Sequence, residues 1–322
     1  MADMNAHGDG HAHGHSHDGA CCHNHAKNTR KSRPSDTDKK TFRPAVSGQK
    51  AALGLSAFVL TALLIMAVFA PWISPYDPVE QSLENRLAPA SAEHILGTDH
   101  LGRDILSRLI WGSRISLGSV GLIAVLIMAV GFTVGSLSGY IGGKTDAVIM
   151  RVCEAFMTFP TFILALFLIG MFGTGMTNVV LAIVITHWAW YARIIRSMVL
   201  NLRNSDYILA ARVAGGSHIS IFLRHIALPV LSQLTILATL DLGHMMLHVS
   251  GLSFLGLGIQ PPTPEWGCMI NDARQQIWSN PELAIIPGVM IFLTVLAFNI
   301  PGDALRDMLD PSLSDAGKDG CC

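Results

Sequence analysis

Residues 201–229 read NLRNSDYILAARVAGGSHISIFLRHIALP, and what this stretch is decides what the chain is. It is the longest polar-bearing interruption between two strongly apolar blocks in the second half of the chain. It carries Arg203, Arg212 and Arg224, with Gly215-Gly216 in its middle and Pro229 where the next apolar run starts. A double glycine between two helix-compatible segments predicts a tight turn between short helices, because glycine turns the chain without a Cβ penalty. Held between two membrane spans on the basic side, such an element suits a push from a soluble partner.

The surrounding composition says that membrane spans are there. The chain has 322 residues, 50% hydrophobic and only 14% charged, with a mean hydropathy of +0.43. A soluble domain carries about 25% charge. The charges are clustered, leaving long apolar runs, which predicts a polytopic membrane protein. A net charge of −1 says nothing about partners and gives no footprint for nucleic acid. Six cysteines are present, four of them in the adjacent pairs Cys21-Cys22 and Cys321-Cys322. Adjacent cysteines rarely bridge each other, so no disulfide framework is expected, and Cys268, alone in its loop, is expected as a free thiol.

Six apolar blocks lie at roughly 52–73, 116–139, 147–171, 176–199, 228–249 and 284–305, each near the ~20 residues that a spanning helix needs. None shows strand alternation, so the expected fold class is an all-α integral membrane protein of six transmembrane helices. The first block follows a long polar tail, which suits a retained span rather than a cleaved signal. Six spans put both termini on one side. With the termini inside, Arg86, Arg103, Arg108, Arg114 and Arg274 fall outside, and all the other basic residues fall inside. The positive-inside rule therefore places both termini, and residues 201–229 with them, in the cytoplasm.

Three parts follow: a disordered, His-rich and basic tail at 1–50, a six-helix domain at 51–311, and a short tail at 312–322 ending Cys-Cys. Outer loops are expected at 74–115 and 250–283. In the first, Asp104 to Leu117 suits an interfacial helix leading into span two. Asp99, Arg103, Asp104 and Arg108 are expected at exposed sites, where local ion pairs are individually weak. In the second loop, Pro261, Pro262 and Pro264 forbid a continued helix.

Three motifs carry a family resemblance. LAARVAG (209–215) followed by IALP (226–229) resembles the coupling loop of importer-type ATP-binding-cassette permeases, with Ala210, Ala211, Gly215, Ile226, Leu228 and Pro229 matching. Leu209 stands where that motif carries glutamate, so no acidic role is carried over. HILGTDHLGRDILSRLIWGSRISL (94–117) and LSFLGLGIQPPTPEWGCMINDAR (252–274) resemble the second permease subunit of dipeptide, oligopeptide and nickel importers. TLDLGHMMLHVSGLSFLGLG (239–258) and FNIPGDALRDMLDP (298–311) are most similar to the nickel branch. The resemblance implies a type I importer permease fold, a heterodimer with a second permease, two cytoplasmic ATPase subunits, and an extracytoplasmic solute-binding protein. It also implies that residues 201–229 dock on an ATPase. The chain has no Gly-x-x-x-x-Gly-Lys-Ser/Thr phosphate loop, so it is expected not to be an enzyme itself, and ATP is used by partners.

Two groups suit metal chemistry. In the tail, His7, His11, His13, His15, His17, Cys21, Cys22, His23 and His25 can fold loosely round exchangeable ions, since imidazole and thiolate both bind late divalent metals. In span five, Asp241, His244 and His248 are spaced to share one helical face, about 10 Å from end to end. Ionisable residues inside a span are costly and usually face a cavity or a partner helix. This face is expected to line the translocation path, the alternative being interhelical hydrogen bonds. His187 lies in span four, and Met245 and Met246 flank the trio.

The expected function is a permease subunit in the inner membrane, with nickel, free or chelated, as cargo and no tightly bound cofactor. The same machine carrying dipeptides or oligopeptides is the nearest alternative. A stand-alone cation exporter with a His-rich sensing tail, or a metal-storage protein, leaves the three motifs unexplained.

Overall fold

The structure, a computed structural model, describes residues 46–309 and the side chains of residues 51–304. The tail histidines and cysteines, and Cys321-Cys322, lie outside the described residues. Apart from an isolated bridge between Thr98 and Asp104, the regular structure described is helical. The helices are α1 (Val46–Val68), α2 (Ala70–Ile73), α3 (Ile105–Ile141), α4 (Gly143–Met157), α5 (Thr161–Phe172), α6 (Met176–Arg203), α7 (Asp206–Val213), α8 (His218–Ile221), α9 (Leu228–Phe254), α10 (Trp266–Asp272) and α11 (Glu282–Leu309).

Among the described residues, five segments are long and apolar enough to cross a bilayer: Ala51–Val68, Ile105–Ile141, Met176–Arg203, His218–Phe254 and Glu282–Ala304. The expected third span is not one rod. It is the pair α4 and α5, bent by 86° at residues 158–160, and counting the pair gives six spans. Pro160 explains the break. It has no N–H for the helix ladder and forces the preceding residue out of the helical region. Two other boundaries move. Helix α1 starts at Val46, inside the tail expected to be disordered. Asp104 to Leu117 is no separate interfacial helix but the start of α3, which at 37 residues is about 55 Å long and overshoots a ~30 Å hydrocarbon core.

The tightest helix pair is α3 with α6. Gly131, Gly135 and Gly139 recur every four residues along α3, and each touches α6 so closely that a Cβ would collide. At Gly131 it would stand 2.6 Å from Tyr191 Cβ, at Gly135 2.5 Å from the Ala192 carbonyl oxygen, and at Gly139 2.9 Å from the Arg196 carbonyl oxygen. Lipid tails give apolar helices no reason to associate, so small residues that admit close backbone approach supply the packing. Arg196 of α6 also grips Asp146 of α4, with Nη2 donating over 2.6 Å. Arg151 pairs with Glu154 at 3.1 Å on the exposed side of α4.

A layer of loop and short helix caps one end of the bundle. The four charged residues expected at exposed sites are buried: Arg103 is 0% exposed and Arg108 1%. Arg103 donates from Nε to Asp99 (2.6 Å) and from Nη2 to Asp272 (3.0 Å). Arg108 Nη2 reaches Asp272 at 3.3 Å, and its Nη1 donates to the carbonyls of Pro78 and Pro262. They are local ion pairs, as expected, but removed from water, where a paired charge matters far more than at a surface. Asp104 caps α3 by accepting from the Ser107 amide at 2.8 Å, and His94 Nδ1 sits 3.0 Å from its other oxygen.

Glu265 caps α10 in the same layer, accepting from the amides of Gly267 (3.0 Å) and Cys268 (2.8 Å) and from Ser116 Oγ (3.1 Å). Trp266, fully buried, donates from Nε1 to the Leu109 carbonyl. Gly267 presses on α9, where a Cβ would stand 2.4 Å from the Ser250 carbonyl oxygen. Cys268 is a free, buried thiol that burial pushes up to about 12, with the Asp272 and Glu265 charges adding, so it stays protonated and unreactive.

Two outcomes follow. Gly135→Val is expected to overpack the α3–α6 seam at a cost of about 1–3 kcal/mol or more, read as loss of membrane-inserted protein, whereas Gly118→Val, at an open position, retains it. Burial pushes the Glu265 carboxyl above its ordinary range, against the pull of the Gly267 and Cys268 amides. The folded chain therefore holds that proton more tightly than the unfolded chain. The stability it contributes is full below the unfolded carboxyl value and falls as pH rises through the folded one. Glu265→Gln, which keeps an acceptor for the amides, is expected to flatten the fall in melting temperature between acid and neutral pH; an unchanged slope would assign it elsewhere.

Candidate functional site

Asp241 lies near the middle of α9, and a carboxylate there needs partners. It is 8% exposed and finds both partners across the helix interface on α6. Tyr191 Oη donates to Asp241 Oδ2 over 2.9 Å, and His187 Nε2 lies 3.1 Å from the same oxygen. His187 and Tyr191 are one turn apart, so the spacing of i and i+4 puts both on the α6 face that meets α9. His187 Nδ1 is buried and has no hydrogen-bond partner.

The three residues expected on one face of α9 do line one cavity, of about 310 Å³, with Thr186, His187 and Trp190 of α6 opposite. They are not equivalent. His244 Nδ1 is 3.6 Å from Asp241 Oδ1, too far for a hydrogen bond, and its side chain is 71% exposed. His248 is half-buried, stacked on Phe162 at 6.1 Å and 6.3 Å from the His187 ring. Met245 and Met246 turn into the core instead. The corner of the broken span closes another side of the cavity through Met157, Phe159 and Thr161. Irregular backbone at membrane depth is tolerated where it is covered by protein or lines a cavity.

Sequence periodicity found the α9 side of this site and missed the α6 side. His187 was visible as an intramembrane histidine, but nothing along the chain ties residue 187 to residue 241. The contribution of the α4–α5 corner was hidden because the run 147–171 reads as one apolar block. Among the described residues no three His, Cys, Asp or Glu side chains converge closely enough to hold an ion.

A second set of residues collects beyond the far end of α6. Ala210 and Ala211 lie on α7, and Gly215 (φ 84°) makes the turn into α8. A single π-helical stretch, Phe222–Ala227, joins α8 to α9. Ile226 is buried, Leu228 is 70% exposed, and Pro229 sits in the first turn of α9, where its missing N–H costs nothing. The pair of short helices presents Tyr207, Leu209, Val213 and Ile219 outward. It stands at the opposite end of α6 from Gly175, which bonds to Leu257 beyond α9.

Comparison with known proteins adds the following. Residues 131–315 match the model of the binding-protein-dependent transport system inner membrane component. Residues 49–90 match the N-terminal transmembrane domain of oligopeptide transport permease C. The nickel transport system permease protein NikC of Escherichia coli (strain K12) is 52% identical over 259 residues, which is 80% of this chain and 94% of that protein. The glutathione transport system permease protein GsiD of Pectobacterium atrosepticum is 43% identical over 268 residues, 82% of this chain and 88% of that protein. Its counterpart in Escherichia coli O6:K15:H31 (strain 536 / UPEC) is 42% identical over 267 residues, again covering 82% and 88%.

Tyr191→Phe removes one hydrogen bond to a buried carboxylate. A bond to a charged group is worth about 1.5–3 kcal/mol, so a lower midpoint of thermal unfolding is expected. No change would mean that Asp241 does not depend on the hydroxyl.

Proposed function

The chain belongs to the family of binding-protein-dependent transport system inner membrane components, and on that footing we propose that it is a permease subunit of an ATP-driven importer with nickel, free or chelated, as its cargo. The observation that carries the cargo reading is the donor set of the α6–α9 cavity. One carboxylate and three imidazoles line it, and oxygen and imidazole nitrogen suit a divalent late transition metal. The 52% identity to a nickel permease supports the same cargo.

A second reading has its own support: two relatives that are glutathione permeases stand at 42–43% identity. A small peptide in place of the ion would need the same cavity but not its imidazoles.

The proposed path runs along Asp241, His244 and His248. With both termini in the cytoplasm, the α7–α8 pair also faces the cytoplasm, and it is the element on which an ATPase subunit pushes. Its geometry suits that work. Helix α7 continues directly from α6, and α8 leads through the π-helical turn into α9, so both helices lining the cavity are attached to the docking element. A second permease, two ATPase subunits and a solute-binding protein complete the machine. Alternating access then exposes the cavity to one side at a time, as a pair of packed helices with two arrangements allows. The histidines and cysteines between His7 and His25 are proposed to take exchangeable metal ions apart from the path.

Uptake of ⁶³Ni by a deletion strain complemented with this chain and its partners, with cobalt, zinc and dipeptide as competitors, tests the cargo. Nickel accumulation blocked by cobalt or zinc but not by dipeptide is expected, and peptide competition alone would favour the second reading. The triple change Asp241→Ala/His244→Ala/His248→Ala is expected to abolish uptake at normal protein levels. Gly215→Pro, which cannot adopt positive φ, is expected to leave ATP hydrolysis without transport; altered metal selectivity instead would break the separation of drive from cargo.

A further inference from the structure

We propose that His187 of α6 is a cargo ligand, that Asp241 positions it, and that the conformation seen here is the one in which this ligand is withheld. The proposal rests on the reading that the cargo is a divalent cation.

The chemistry begins with the two nitrogens of one ring. His187 Nε2 stands 3.1 Å from Asp241 Oδ2, and Nδ1 is buried without a hydrogen-bond partner. Asp241 is itself held from the other direction by Tyr191 Oη at 2.9 Å. A carboxylate that accepts from one imidazole nitrogen sets the tautomer: Nε2 carries the hydrogen and Nδ1 carries the lone pair. This is how a carboxylate orients a metal-binding histidine and raises its basicity. A structural histidine that only bridged two helices would use both nitrogens or leave the second one to water. Here the second nitrogen is buried and no protein group bonds it.

Its place gives that lone pair a use. His187 lines the α6–α9 cavity together with His244 and His248, and the His248 ring is 6.3 Å away on the facing helix. Small shifts of α6 against α9 would bring ligands from both helices onto one ion. In the present arrangement no three donors converge among the described residues, and Met157, Phe159 and Thr161 at the corner of the broken span wall the cavity beside the ring. A carrier must bind its cargo tightly in one state and release it in the other. A ligand whose lone pair is exposed in only one helix arrangement produces that difference, since a cation shifts the equilibrium only by its differential affinity for the two states. The free-energy coupling therefore passes through α6, the helix that also carries α7.

The test is ⁶³Ni uptake by the full complex in cells, as a function of nickel concentration, with protein levels checked by immunoblot. His187→Gln keeps an N–H for Asp241 and loses the imidazole lone pair. It is expected to raise the half-saturating nickel concentration about 10-fold or more, with most of the maximal rate retained. His187→Cys restores a ligand of softer character, so uptake is expected to recover and to become more sensitive to cadmium than in the parent. If Gln and Cys lower the maximal rate equally and leave the concentration dependence and cadmium sensitivity unchanged, His187 is only an interhelical bridge and the proposal is overturned. If the parent complex accumulates no nickel at all, the cargo reading itself fails, a result distinct from a normal parent with indifferent His187 variants.

Discussion

Two guanidinium groups buried between two carboxylates hold this molecule's capping layer in one arrangement. Arg103 and Arg108 are almost completely removed from solvent, and they are met by Asp99 from the loop before α3 and by Asp272 from the end of α10. Buried charges are tolerated only when paired, and removing one partner leaves a charge in low dielectric at a cost of about 3–5 kcal/mol. The arrangement therefore ties the loop before α3 to the helix after α9. Glu265 and Trp266 repeat the tie to α3 through Ser116 and Leu109. With α10 seated on α9 through Gly267, the C-terminal end of α9 is anchored to this cap.

Below the cap, the bilayer dictates different rules. Every backbone amide must be satisfied within its own segment, and apolar contact between helices gains nothing over contact with lipid. The α3–α6 seam answers the second condition with three glycines spaced one turn apart. The α4–α5 corner departs from the first, and it does so where the backbone walls a cavity. Both features converge on α6: its one face packs on the glycines of α3, and another presents His187 and Tyr191 to Asp241. The same helix therefore carries a tightly packed back and a hydrogen-bonded polar front.

That geometry changes the meaning of residues 201–229. Read along the chain, they resemble a coupling loop and say nothing of the cavity. In three dimensions they are the continuous link between the two helices that line the cavity, entering from α6 and leaving through a π-helical turn into α9. The exposed Val213 and Ile219 have no counterpart among the donors that line the cavity. This element and the cavity are joined along the chain, because both helices that line the cavity run into it.

Much of this was legible in the residues alone. Apolar runs of spanning length, the asymmetry of Arg and Lys, and three ordered motifs were sufficient for an all-helical permease, and the spacing of Asp241, His244 and His248 was sufficient for one shared face on one helix. Local periodicity determines such things because they depend only on the 3.6-residue turn and on transfer to hydrocarbon. The tertiary structure decided the rest: that Pro160 bends the third span, that Arg103 and Arg108 are buried rather than exposed, and that Asp241 is held by His187 and Tyr191. Each of these depends on which side chain stands across an interface some fifty or more residues away in sequence. Helical periodicity shows the face a side chain occupies, but the partner that neutralises or hydrogen-bonds it is set by packing between helices.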